Sequence, residues 1–150
     1  MKPGYHIVVS AGLSAGVQAT MHSWPATIGC FFSGVLIDLD HCLEYCFLRK
    51  KIPYNYQDLV DFCWDTKVNK LYLIFHAYEF LFIFWFLIYF FYLGYLWWGI
   101  AIGLTVHLAC DQFTNPIKPW FYFLTFRIKN SFEKTKTLSD MYFKHKENVC

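Results

Sequence analysis

Charge is scarce in this chain, and positive charge is missing over two long stretches. Lys, Arg, Asp and Glu make up 16% of the 150 residues, against roughly 25% in an ordinary soluble domain. No Lys or Arg occurs from Pro3 to Leu48, or from Leu71 to Ile117. The net charge is only +2, so composition gives no basic footprint for nucleic acid, and none is expected as a partner. The six cysteines include no C-x-x-C pair. Cys42 and Cys46 are four apart and would share a helix face, and the cysteines read as small apolar residues in reduced form. A cleavable leader is also missing. The apolar stretch after Lys2 carries His6, Ser10, Ser14 and Gln18 and lacks a small-residue cleavage site, so this segment reads as retained.

Apolar and aromatic side chains fill the space that charge leaves. Hydrophobic residues reach 57% and aromatics 23%, with 17 Phe, 11 Tyr and 6 Trp. A soluble core of this size could not hide that surface, whereas a bilayer could. Tyr5 to Met21 reads as a first helix whose Gly12 and Gly16 form G-x-x-x-G, a spacing that packs it inside a bundle. His22-Ser23-Trp24-Pro25 reads as a turn, and a second helix runs from Ala26 to Leu48. Residues 52–69 form the one extended polar connection, with the spacing of an amphipathic interfacial helix. Leu71 to Leu93 is long enough to span about 30 Å of hydrocarbon. A fourth helix runs from Tyr95 to Gln112 with Gly99 and Gly103 at the same close-packing spacing, and Asn115-Pro116 ends it. Trp120 to Ile128 is too short to span and reads as a short interfacial helix.

The chain therefore reads as all-α, an integral membrane four-helix bundle with an interfacial amphipathic connection and a short C-terminal interfacial helix. Residues 1–128 form a single membrane-embedded domain, and residues 129–150 form a polar cytoplasmic tail. Four spans put all thirteen Lys and Arg residues on one side. By the positive-inside rule that side is cytoplasmic, and both termini lie there.

The same topology gathers ionisable side chains at one depth. His6 opens the first helix. Asp38, Asp40, His41 and Glu44 lie near the end of the second, His76 and Glu79 in the third, and His107 and Asp111 close the fourth. Asp38 and His41, and His76 and Glu79, are i,i+3 pairs, while His107 and Asp111 are i,i+4. Each spacing puts its pair on one helix face. Ionisable groups in a span face partners or cavities. Imidazole with carboxylate suits a divalent metal, zinc first, with manganese or iron also possible. The expected ligands are His6, Asp38, His41, His76, His107 and Asp111, and an ion there would activate water for hydrolysis. Glu79 and Asp40 are the expected proton-moving residues. His22 and His145 lie away from the cluster in this topology.

At Asp38-Leu39-Asp40-His41, and at His107 through Asp111 to Thr114, the chain resembles the small inner-membrane metal-dependent hydrolases known as LexA-binding, membrane-associated hydrolases. Those proteins share an early His, a D-x-D-H at a helix end and a late H-x-x-x-D followed by Thr. His6, Asp38, Asp40, His41, His107, Asp111 and Thr114 match that pattern over roughly residues 5 to 116. The chain departs from it at His76-Ala77-Tyr78-Glu79, where the family has His-Arg with a second His nearby. The resemblance implies a bacterial inner-membrane hydrolase without naming a substrate, and a site near the cytoplasmic headgroup level suggests a lipid or lipid-linked phosphoester. The alternatives are a non-catalytic membrane protein whose cluster is structural, and a di-iron or haem redox protein.

Overall fold

The structure, a computed structural model, describes residues 3–55, 57–59, 62, 69–115 and 117–139. Among these residues all extended regular structure is helical; the only β pairings are isolated bridges, Lys70 with Glu133 and Ile117 with Leu138. The all-α expectation holds. The chain forms two compact units: residues 1–38 with 77–115, and residues 39–76 with 116–150.

The first unit contains helices α1 (Pro3–Met21), α2 (Trp24–Leu36), α4 (Tyr78–Phe90) and α5 (Tyr95–Thr114). The chain reverses at His22 and Ser23. Ser23 caps α2 by accepting a hydrogen bond from the Ala26 N–H, and Pro25 fits the first turn, where no intrahelical donor is needed. α2 and α5 approach closely because small residues face each other. A Cβ on Gly29 would stand 2.7 Å from the Leu96 carbonyl, and one on Gly99 would stand 2.7 Å from the Ala26 Cα. Side chains also bridge the helices: Ser33 Oγ donates to the Ile100 carbonyl at 3.0 Å, and Trp85 Nε1 donates to Thr105 Oγ1 at 3.1 Å.

This unit inverts the water-soluble pattern. The buried face of α1 carries His6, Ser10, Ser14 and Val17, while Ile7, Val8 and Val9 are exposed. α4 exposes Phe82, Ile83, Phe86, Tyr89 and Phe90. No described residue of this unit is Lys or Arg.

Four expectations change. Gly12 and Gly16 do not pack α1 into the bundle: a Cβ on either would meet nothing within 4 Å, and the Ser10 side of α1 approaches Gly34 instead. The second helix is broken by a turn at residues 37 and 38. The third apolar helix begins at Tyr78. Its 13 residues extend about 20 Å, less than a bilayer core, because residues 71–77 are drawn into non-helical hydrogen bonds. His76 precedes that helix, so the His76–Glu79 pair does not share a helix face. By length and composition, one helical stretch among the described residues, Trp24–Arg49, is long and apolar enough to cross a membrane.

The second unit contains α3 (Leu39–Arg49), the segment 69–76, α6 (Leu124–Lys129) and α7 (Lys134–Thr137). The backbone N–H of Leu71 donates to Phe132 and that of Lys134 donates to Asn69. Phe62, Phe121, Tyr122 and Leu138 are buried here. Residues 129–139, the start of the tail in the sequence reading, thus pack within this unit. Half of the 52–69 connection (residues 56, 60, 61 and 63–68) and residues 140–150 lie outside the described residues. Cys30, Cys42, Cys46 and Cys110 form no disulfide among the described residues.

Gly99→Ala is expected to destabilise the protein by about 1–3 kcal/mol, because its Cβ meets backbone that cannot yield. Gly12→Ala should change stability by no more than about 0.5 kcal/mol. Unfolding of both variants in detergent micelles checks this, and equal effects would contradict the packing.

Candidate metal centre

His107 and Asp111 lie one turn apart on α5, so their side chains project together, and both are buried. α2 stops at Leu36, and the following turn carries Asp38. The break has a second consequence. A helix end leaves carbonyls without intrahelical partners, and the Gly34 carbonyl in this last turn accepts a hydrogen bond from His107 Nδ1 at 2.8 Å. Gly34 suits the position because a side chain there would collide with Ser10. His6, in the second turn of α1, completes the group. Its ring stacks on His107 with centroids 3.9 Å apart and planes at 18°.

The geometry gives each ring nitrogen of His107 a different partner. A carbonyl can only accept, so Nδ1 of His107 carries a hydrogen. Nε2 is then the nitrogen turned toward Asp38 Oδ1 and Asp111 Oδ2, 3.4 Å from each. His6 Nε2 lies 3.2 Å from Asp111 Oδ1. One ligand atom from each of His6, Asp38, His107 and Asp111 falls within 4.8 Å of all the others. A neutral Nε2 presents its lone pair to two carboxylates, an arrangement that needs a positive charge among them.

A proton on Nε2 or a metal ion could supply that charge. Charge-assisted N–H···O bonds are about 2.7–2.9 Å long, shorter than the 3.2 and 3.4 Å contacts here. Ligands bound at about 2.0–2.1 Å to a tetrahedral zinc stand about 3.3–3.4 Å apart. Two imidazoles with two carboxylates suit zinc, manganese or iron. A ligand His held through its other nitrogen by a carbonyl is the usual outer support of such a site.

Of the six ligands expected from sequence, His6, Asp38, His107 and Asp111 meet in the first unit. His41 and His76 lie in the second, with ring centroids 5.3 Å apart. Asp40, expected to move a proton, accepts from His76 Nδ1 at 3.1 Å and from the Phe75 and His76 N–H groups at 2.9 and 3.3 Å. Glu79, half-buried in the first turn of α4, is not part of the four-residue group. Sequence reasoning missed the Gly34 carbonyl, which no side-chain pattern could signal. It also missed Arg127, whose lone charge in an apolar run is the available cue.

Comparison with known proteins finds no matching family model, no matching curated protein and no matching solved structure.

Asp111 touches both histidines, so Asp111→Asn is expected to weaken binding of cobalt(II) at least about tenfold while leaving helicity unchanged. Visible absorption during cobalt titration, with circular dichroism as the folding control, measures both.

Proposed function

We propose that the chain is a membrane-embedded, metal-dependent hydrolase that acts near the cytoplasmic face on a lipid or lipid-linked phosphoester. The observation that carries this reading is the convergence of His6, Asp38, His107 and Asp111, from three helical segments, inside a unit whose outer faces are apolar. Four such donors are costly to bury in apolar surroundings without a shared cation. A bound divalent cation would polarise a phosphoryl oxygen and activate water. The protein's part is to hold the ion with two imidazoles and two carboxylates and to keep the His107 lone pair aimed at it. Asp40 is occupied by the 75–76 backbone and His76, so Glu79, in the same unit as the cluster, is the carboxylate assigned to proton transfer.

The bilayer placement is supported by the exposed apolar faces of α1 and α4 and by the length and composition of Trp24–Arg49. The two Lys- and Arg-free stretches support a cytoplasmic location for both termini, and the resemblance is the support for a bacterial inner membrane. The resemblance carried by Asp38 to His41 and by His107 to Asp111 supports hydrolysis as the chemistry.

A competing reading treats the same four residues as an ionic knot, with a protonated His107 tying α1, α2 and α5 together. Elemental analysis of protein purified in detergent without chelators separates the two. The hydrolase reading predicts about one zinc, manganese or iron per chain, lost in His107→Ala. It also predicts a phosphodiesterase activity that Glu79→Gln lowers by about 10²–10⁴-fold with the metal retained. Metal-free wild-type protein, unable to take up added zinc, would sink the proposal and leave the knot.

A further inference from the structure

The second unit builds an unusual backbone around one histidine. Residues 71–77 connect to α4 without forming helix, and Leu73 adopts φ 39°, a left-handed conformation that disfavours a branched side chain. Such strain persists only where surrounding contacts over-determine it, and here they do. Arg127, fully buried on α6, donates to the carbonyls of Tyr72, Leu73 (2.6 Å) and His76 (2.9 Å). Its guanidinium carbon also lies 5.4 Å from the centre of the Phe121 ring. From the other side, α3 supplies two buried carboxylates one turn apart. Glu44 accepts from the Tyr72 N–H. Asp40 accepts from the N–H groups of Phe75 and His76 and from His76 Nδ1.

Everything in this arrangement bears on His76, which is itself fully buried. We propose that Asp40 and Arg127 are positioning residues: Asp40 fixes the His76 imidazole as the Nδ1–H tautomer, and Arg127 locks the strained segment that carries it. Nε2 is then the unprotonated nitrogen, the form in which an imidazole can act as a metal ligand. A carboxylate on Nδ1 also makes Nε2 a better donor to a cation, the relation found behind metal-ligating histidines. A burial role alone would not need this construction. Filling the same space with an apolar side chain would require neither a buried arginine with its carbonyl acceptors nor a left-handed leucine.

The roles of the two residues separate on substitution. In Asp40→Asn the side-chain oxygen can still accept from all three donors, so the tautomer is retained. Asp40→Ala leaves Nδ1 without its acceptor and releases the tautomer. Arg127→Met keeps the Asp40 contact but frees the carbonyls of the segment.

Nitrogen-15 spectra of protein with labelled histidine, recorded in detergent, test this directly. The wild type should show His76 protonated at Nδ1 and bare at Nε2. Asp40→Asn should match it, and Asp40→Ala should show a mixture or the opposite tautomer. Arg127→Met should raise amide exchange at Phe75 and His76 at least about tenfold, as expected for losing hydrogen bonds to a charged donor. Added zinc should shift the His76 Nε2 resonance in the wild type more than in Asp40→Ala. A wild-type His76 protonated at Nε2 would overturn the proposal without any variant, as would a tautomer unchanged in Asp40→Ala. An Nε2 resonance indifferent to zinc would remove the cation as its ligand. None of these readouts uses hydrolysis or the four-residue group of the first unit, so a failure here is distinct from a failure of the hydrolase reading.

Discussion

His107 is committed at both ring nitrogens, and the first unit is arranged around that commitment. Nδ1 gives its hydrogen to the Gly34 carbonyl, and Nε2 faces Asp38 and Asp111. Each partner depends on a separate backbone decision. α2 must end at Leu36 for the Gly34 carbonyl to be available and for Asp38 to turn inward. Position 34 must be glycine for α1 to come close enough to bring His6 onto the His107 ring. A helix break, a close approach and a stacked imidazole thus converge on one side chain.

Close approach between α2 and α5 makes the convergence possible. Gly29, Gly99 and Gly103 remove the side chains that would hold the helices apart, and Ser33 bridges the gap to the Ile100 carbonyl. With polar groups turned inward and Phe, Ile and Val turned outward, this unit gains little from water exclusion at its surface in the usual sense. Helix packing and internal polar contacts carry a larger share of its cohesion, which suits the proposed bilayer setting.

The helical class and the helix-ending signals at Ser23-Trp24-Pro25 and Asn115-Pro116 were legible in the sequence, because composition and proline chemistry act locally. The gathering of His6, Asp38, His107 and Asp111 was legible too, because all four lie at or near helix ends that the fold brings together. The break at residues 37 and 38 was not legible, because no Gly or Pro marks it. The non-helical path of residues 71–77 was hidden for another reason. Their sequence is apolar enough for a span, but Arg127, Asp40 and Glu44, remote in the chain, claim their backbone groups. The close-packing role given to Gly12 and Gly16 failed because small-residue spacing says a helix can be approached, not that it is.

A divalent cation is proposed to supply the positive charge that His6, Asp38, His107 and Asp111 share. Zinc-edge X-ray absorption on the detergent-purified chain, loaded with one equivalent of zinc, tests it most directly. The predicted result is a first shell of nitrogen and oxygen only, at about 2.0–2.1 Å, with outer-shell scattering from two or more imidazoles. A shell containing sulfur, or the water-only shell of unbound zinc, would contradict it.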